Sequence, residues 1–291
     1  MLSSVVVGVD GSAPAEEALV WALGEGRLRG LPVRAVHVWQ PAAAAGPERD
    51  VTAGLERDVT AGVRAVVERS GATDLPVAAD VRPGHPAREL IRAAGADALL
   101  VVGSRGRGGF AGSVLGSVSQ SCAQYADGTV VVVRGDRPDP AARRVVVGVD
   151  GSAHSVRALR FAHDAAARRG AVLEVVHTWN PSHLGFASPV PWSQDLLDEV
   201  AAEATATLRE SVRRGGIDRA AARVRTYLMQ GPPAPSLLEV AAGADLLVVG
   251  SRGYGGWKGL LLGSVSTQCV TRAPCPVAVT RDRDEAHTAT S

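Results

Sequence analysis

Residues 103–119 read GSRGRGGFAGSVLGSVS and residues 250–266 read GSRGYGGWKGLLLGSVS, two copies of one stretch that agree at twelve of seventeen positions. Each follows a run of Leu and Val with the character of a buried strand, ALLVV before Gly103 and DLLVV before Gly250. Each closes on Gly-Ser-Val-Ser with residues that can form a helix beyond it. Gly103, Gly106 and Gly116 recur at the same spacing as Gly250, Gly253 and Gly263. A loop this rich in glycine can turn its N–H groups inward and let a ligand approach the main chain. Placed at the mouth of a helix, such amides suit an anion, and phosphate is the usual one. The chain therefore reads as two phosphate cradles on two similar scaffolds.

The scaffolds repeat as well. VVVGVDGSA occupies residues 5–13 and again 145–153. The offset between copies is 140 residues at Asp10/Asp150 and 147 at Gly84/Gly231, so the second half carries seven additional residues after its second strand, in NPSHLGFASPVPW. A period far above ~50 residues means duplicated domains rather than a solenoid. Each VVVGVD run is apolar throughout, as a strand covered on both faces must be. Ser12 and Ser152 stand where N-caps are needed, ahead of helices near 13–29 and 153–169, and Pro14 lies in the first turn of the former. LPVRAVHVW and AVLEVVHTW give second strands, LPVAADV and ARVRTYLM third strands, and TVVVV and PVAVT last ones. Alternating strands and helices imply parallel βαβ units. The fold expected is α/β: two open parallel-sheet domains, helices on both faces, strand order 3-2-1-4-5. Their limits are residues 1–134 and 145–281, with a polar, proline-rich linker at 135–144 and a polar tail at 282–291. ERDVTAGL at 48–55 is echoed at once by ERDVTAGV at 56–63, a local duplication that would lengthen the helix before the third strand.

Composition narrows the functional classes. A chain of 291 residues can bury two cores. A net charge of +1 lacks the basic footprint of a nucleic-acid binder, so no nucleic-acid partner is expected. Lys258 is the only lysine. The three cysteines, Cys122, Cys269 and Cys275, have no paired spacing and give no disulfide framework; Cys122 and Cys269 stand in equivalent places and read as small core residues. No apolar run is long enough to cross a bilayer and no signal-like segment opens the chain, so a soluble cytoplasmic protein without membrane partners is expected.

In an open parallel sheet a ligand lies beyond the carboxyl ends of the strands where the strand order reverses. Asp10 ends the first strand and the Gly103 loop follows the fourth, so the two face one crevice if the order is 3-2-1-4-5. Charge divides the labour. A carboxylate repels phosphate, which places Asp10 at a ribose or base. The amides of Gly103 to Gly106 and of Gly116-Ser117, with the Ser117 and Ser119 hydroxyls, belong at phosphates. Asp150, Gly250, Gly253, Gly263, Ser264 and Ser266 offer the second half the same tasks. An Asp-Gly turn whose carboxylate caps itself is the other reading of Asp10 and Asp150. Arg105 and Arg252 either brace phosphates or are exposed loop arginines. Arg107 becomes Tyr254, which argues against a shared role, and Phe110 and Trp257 read as packing. His37 and His177 lie mid-strand and read as hydrogen-bonded core residues rather than bases. A Walker loop would need lysine after Gly116, and a dinucleotide fingerprint would follow the first strand, where VDGSA stands instead.

Both halves resemble the universal stress protein domain in its ATP-binding branch. The resemblance rests on the spacing Gly-x2-Gly-x9-Gly-Ser, met by Gly103/Gly106/Gly116-Ser117 and by Gly250/Gly253/Gly263-Ser264. It rests also on the Gly-Val-Asp end of strand one, the His-Val end of strand two and the Gly-x-Pro before the third helix. It covers nearly the whole chain as a tandem. It implies ATP in each half, with Mg²⁺ carried on the phosphates and no side-chain metal ligands. Gly8 and Asp10 would lie near the adenosine and the Val38 backbone near adenine, with Gly148, Asp150 and Thr178 as the second set; Thr178 departs from the usual small apolar residue. The implied loop contacts are Gly103, Ser104, Arg105, Gly106, Gly109, Gly116, Ser117, Val118 and Ser119, then Gly250, Ser251, Arg252, Gly253, Gly256, Gly263, Ser264, Val265 and Ser266. Such domains commonly pair through strand five, so pairing of the two halves with each other and a homodimer are both expected, although Asp127-Gly128 stands where the second half has Pro274-Cys275. The implied activity is nucleotide-dependent regulation of a protein partner in the stress response, with no catalytic residue. A slow ATPase or phosphotransferase is the alternative, and the cradles carry no lysine or evident base for rapid phosphoryl transfer.

Overall fold

The computed structural model describes residues 2–40, 48–107, 114–135, 143–180, 193–218, 220–254 and 261–281. The chain divides into two compact units, one of residues 1–134 with 281–291 and one of residues 135–280. The first holds β1 (Ser4–Gly8), α1 (Ala13–Arg29), β2 (Val33–Trp39), α2 (Glu48–Arg69), β3 (Val77–Pro83), α3 (Pro86–Ala94), β4 (Ala98–Gly103), α4 (Ser117–Tyr125) and β5 (Val130–Val133). The second holds β6 (Arg144–Gly148), α5 (Ala153–Arg169), β7 (Val172–Trp179), α6 (Gln194–Gly215), β8 (Val224–Gln230), α7 (Pro233–Val240), β9 (Leu246–Gly250), α8 (Ser264–Arg272) and β10 (Val277–Thr280).

All pairings within each unit are parallel. In the first, β1 lies between β2 and β4, with Val6 beside Arg34 on one side and Leu100 on the other, while β3 flanks β2 and β5 flanks β4. In the second, β6 lies between β7 and β9, with β8 and β10 outside them. Counted from its own first strand, each unit thus runs 3-2-1-4-5. Each is the α/β arrangement expected, with helices on both faces: α1 packs with α2 and α3 with α4, as α5 does with α6 and α7 with α8. The middle strands carry the core because they are covered twice. Val5, Val6, Val7, Leu99 and Val101 are fully buried, as are Val145, Val146, Val147, Leu246 and Leu247.

Local chemistry starts the helices where the sequence suggests. Ser12 is the N-cap of α1 and accepts from the Ala15 amide at 3.4 Å; Ser152 caps α5 from the Ser155 amide at 3.2 Å. The strand histidines are structural, as their apolar neighbours suggested. His37 donates from Nδ1 to the Val9 carbonyl at 2.8 Å and His177 to that of Val149 at 2.7 Å, each tying its second strand to the residue just past the first. The echoed segment lies wholly within α2, which has 22 residues; α6, without an echo, has 22 as well, so the duplication does not lengthen the helix relative to its counterpart. Most of the residues 135–144 expected as a linker, the tail 282–291 and the insertion after Asn180 lie outside the described residues.

Candidate functional site

The site of the first unit is built on the turn after β1. Gly11 takes φ +78°, a left-handed conformation that glycine adopts without strain and that aims the Asp10 carboxylate back across the turn. Asp10 Oδ1 accepts from the Ser12 amide at 3.0 Å and its hydroxyl at 2.6 Å, so the self-capping Asp-Gly turn is present. The other oxygen reaches further: Oδ2 accepts from the Arg107 amide at 2.8 Å, ninety-seven residues away in the glycine loop. One carboxylate therefore clamps the loop after β4 to the turn after β1. Burial alone would raise its pKa, but the Ser12 hydroxyl and amide and the Arg107 amide and charge outweigh it and hold the carboxyl below its ordinary value.

This clamp and the packing around it explain the glycines. A Cβ on Gly106 would stand 2.5 Å from Asp10 Oδ2. One on Gly103 would stand 2.5 Å from the Pro14 carbonyl oxygen in the first turn of α1, and one on Gly8 would stand 2.9 Å from Leu90 Cδ1 on α3. Gly103 and Gly8 thus serve close packing of helices on the strand ends. Gly106 serves the clamp.

The donors are distributed differently from the sequence reading. The Ser104 amide donates to the Val133 carbonyl at 2.9 Å, and the Gly116 amide to the Ser104 carbonyl at 2.8 Å. The Ser119 hydroxyl, expected at phosphate, is buried and donates to the Gly103 carbonyl at 2.6 Å; it ties the helix start to the strand end. What remains is the first turn of α4. Gly116 is its N-cap and, having no side chain, offers no capping bond, so the amides of Ser117, Val118 and Ser119 form a helix N-terminus that no side chain caps.

These parts line one cleft of about 910 Å³. Its apolar lining includes Val9, Val36, Val38, Leu90, Val102 and Leu115, and its lining also includes Asp10, Arg105, Gly106, Arg107 and the start of α4. Gly8, Gly103 and Gly116 also lie on it. Chemically its lining combines apolar side chains with the uncapped amides of α4 and two arginine residues, a combination suited to an apolar group that carries an anion. Gly109 and Phe110 lie outside the described residues. His85 and Leu90 were not foreseen; the signal available was the helical position of Leu90 four residues past Pro86 in α3.

The second unit repeats the clamp and the close packing of its glycines. Gly151 has φ +84°; Asp150 Oδ1 accepts from the Ser152 amide at 3.0 Å and hydroxyl at 2.6 Å, and Oδ2 from the Tyr254 amide at 2.8 Å. A Cβ on Gly253 would stand 2.5 Å from Asp150 Oδ2, one on Gly250 2.9 Å from the His154 backbone, and one on Gly148 2.9 Å from Leu237 Cδ1. The Ser251 and Gly263 amides are spent on the Thr280 and Ser251 carbonyls, and the buried Ser266 hydroxyl on Gly250. Gly263 leaves the Ser264–Val265–Ser266 turn of α8 without a side-chain cap. Burial would raise the Asp150 pKa, yet the hydroxyls of Ser152 and Ser155 and the two amides lower it below the ordinary value. Thr178, between His177 and the end of β7, is half-buried, and Arg252 stands in the loop where Arg105 stands in the first. Gly256 and Trp257 lie outside the described residues. Cys122 and Cys269 are buried core thiols, their pKa pushed up to about 12 by burial. Among the described residues no group of three or more His, Cys, Asp or Glu side chains could hold a metal ion, and no helix is long and apolar enough to cross a membrane.

Comparison with known proteins agrees with this doubling. The model of the universal stress protein family matches the chain twice, at residues 1–134 and 141–281. A universal stress protein of Mycolicibacterium smegmatis is 35% identical over 292 residues, covering 96% of this chain and 97% of the relative. One of Mycobacterium tuberculosis is 32% identical over 294 residues, covering 96% of each. The crystal structure of a universal stress protein from Archaeoglobus fulgidus, 24% identical, superposes with a TM-score of 0.72 over 96% of this chain and 98% of that one, which shows the shared fold.

Proposed function

The chain belongs to the universal stress protein family as a tandem of two such domains, and from that premise we propose that each unit binds ATP and that the protein is a nucleotide-dependent regulator with little or no ATP turnover. The observation that carries the reading is the uncapped first turn of α4, Ser117 to Ser119, which lines a cleft of about 910 Å³ together with apolar residues such as Val36, Val38 and Leu90. The residues present fit the ligand. The amides of α4 and α8 and the arginines of the loops suit the phosphates, we assign the adenine to the Val38 backbone and, in the second unit, to Thr178, and the first cleft is of the size that holds a nucleotide. Mg²⁺ would be carried on the phosphates rather than by a cage of side chains.

Slow turnover follows from what lines the cleft. Among the described residues Asp10 is the one carboxylate that lines it, and both of its oxygens already accept hydrogen bonds from Ser12 and Arg107. A group so engaged, with its pKa lowered, is a poor base for activating water. The alternative, a slow ATPase or phosphotransferase, rests on the two cleft arginines, Arg105 and Arg107, which could stabilise charge in transfer. We take the regulated partner to be another protein, and the location to be the cytoplasm. Domain limits of 1–134 and 145–281, with pairing of the two halves or of two chains, belong to the same reading.

Nucleotide released by denaturing the purified protein, identified by mass spectrometry, tests binding; ATP or ADP is expected. Steady-state hydrolysis tests the rest. A rate in the range of roughly 1–100 s⁻¹ typical of kinases would overturn the regulator in favour of the enzyme.

A further inference from the structure

Behind the second clamp stands the end of α6. Arg214, in its last turn, donates from Nη1 to the Gly151 carbonyl at 2.7 Å. That carbonyl and the Ser152 amide are the two ends of one peptide group, and in a trans peptide they point in opposite directions. The Ser152 amide donates to Asp150 Oδ1 at 3.0 Å, and Asp150 Oδ2 accepts from the Tyr254 amide at 2.8 Å. A line of hydrogen bonds therefore runs from a guanidinium, through one peptide and one carboxylate, to the glycine loop. Arg214 is itself fixed, its own carbonyl accepting from Arg160 Nη2 on α5 at 2.8 Å. Thr207, two turns earlier on the same face of α6, comes within 3.2 Å of where a Cβ on Gly151 would stand. Gly215 lets α6 approach α5 closely, since a Cβ there would meet Leu159 Cδ2 at 2.8 Å. The end of α2 is used differently: Arg69, its last residue, pairs with Glu16 in the first turn of α1 at 2.5 Å.

We infer that Arg214 is a positioning residue of the second site: it sets the Gly151–Ser152 peptide, through it the Asp150 carboxylate, and through that the loop at Tyr254. The inference rests on the proposed nucleotide binding only where a ligand is measured. Gly151, at φ +84°, is the joint that needs holding. Glycine has other backbone wells open to it, and a rotation of this peptide would take the Ser152 amide off Asp150. The Ser152 hydroxyl grips the same oxygen at 2.6 Å, but a hydroxyl turns to suit its surroundings, whereas a peptide N–H aims where the backbone points it. A cation on the carbonyl oxygen also polarises the peptide and makes its N–H a stronger donor. The last turn of α6 is thereby coupled to the second loop. By linkage, the factor by which Arg214 strengthens ligand binding there is the factor by which ligand strengthens the Arg214 contact.

The experiment uses the full chain. Arg214→Ala removes the guanidinium and keeps the backbone carbonyl that Arg160 meets. The Tyr254 amide proton resonance reads the clamp, because an N–H bound to a carboxylate is deshielded. It is expected to move upfield in Arg214→Ala and part of the way back in Arg214→Lys, which keeps a cation and its donors but not the planar fork. Arg213→Ala is the control: it removes an exposed pair with Glu210 on the same turn and is expected to leave the resonance in place. With the first site silenced by Gly106→Ala, calorimetric titration is expected to show ATP affinity at the second site falling about fivefold in Arg214→Ala and less than about twofold in Arg213→Ala. Circular dichroism checks the fold, and Arg214→Gln gives the same comparison should Arg214→Ala lose it. A Tyr254 resonance indifferent to Arg214→Ala, or moved equally by Arg213→Ala, overturns the inference and leaves nucleotide binding standing. Unchanged ATP affinity at the second site does the same. A parent chain that binds no nucleotide overturns the binding reading alone, since the resonance still decides whether Arg214 holds the clamp.

Discussion

A single carboxylate at each site does two jobs, and its environment makes both measurable. With Gly106 only 2.5 Å in Cβ terms from Asp10 Oδ2, and Gly253 equally close to Asp150, adding one methyl group at each must push the loop off its clamp. Gly106→Ala with Gly253→Ala is expected to abolish ATP binding in a titration while far-ultraviolet circular dichroism stays unchanged, because both residues lie in exposed loops rather than in a core. Acid gives an independent reading. Both carboxyls titrate below the ordinary 3.8, so they favour the folded state at higher pH, and that contribution is lost as pH falls below about 3.8 through the folded values. Asp10→Asn with Asp150→Asn is expected to flatten the dependence of unfolding free energy on pH in that acid limb and to leave the limb above it unchanged. At this scale the sequence pointed to the residues that form the clamp and misjudged some atoms. Repetition of Gly106 and Gly253 between differing neighbours announced a constraint; it could not tell a glycine that admits a ligand from one that admits a carboxylate oxygen or, as at Gly103, the carbonyl of Pro14. The Ser119 and Ser266 hydroxyls were lost for the same reason, since a short polar side chain in a helix's first turn turns inward or outward according to packing the sequence does not display.

The decisive element is the short helix after the loop. Ser117 and Ser264 are the first helical residues of α4 and α8, and the N-cap before each is an extended glycine, Gly116 at φ −76°, ψ 153° and Gly263 at φ −74°, ψ 160°. Proline fits the first helical position and tolerates an extended residue before it, so Ser117→Pro with Ser264→Pro removes one N–H from each site at little structural cost. Nucleotide affinity is expected to fall about tenfold at each site, with the melting temperature shifted by no more than about 2 °C, since the lost bond is a charge-assisted one to the ligand alone. By contrast Ser12→Ala takes both the Asp10 partner and the cap of α1, and is expected to cost about 1 kcal/mol in chemical denaturation. Elements were the most legible scale. VVVGVD, the alternating second strands and the capping serines each carry a local physical cause, and α1 and α5 stand at Ala13–Arg29 and Ala153–Arg169. The echo at 48–63 was legible as letters only. Eight residues turn a helix by about 800°, leaving the copies some 80° out of phase. Leu55 is accordingly half-buried where its counterpart Val63 is buried, and Gly54 is half-buried where Gly62 is exposed.

At the scale of the molecule, duplication is the dominant fact: one chain carries the clamp, the glycine loop and the helix start twice. Two nucleotides per chain are expected at saturation, and one where Gly106→Ala or Gly253→Ala is made alone, by equilibrium dialysis. The repeat was plain in the sequence, whereas the inequality of the two copies was not, because Arg107 and Tyr254 differ in where their side chains go as much as in what they are. The clamp also equips the protein with a gauge of its own state. The Arg107 and Tyr254 backbone protons are each held by a carboxylate although both residues are exposed, so both should trade with deuterium far more slowly than an exposed amide without such a partner. Since the two protons share one solvent, one temperature and one tube, the ratio of their trading rates, each divided by the intrinsic rate that its own side chains set, reports how differently the two clamps open.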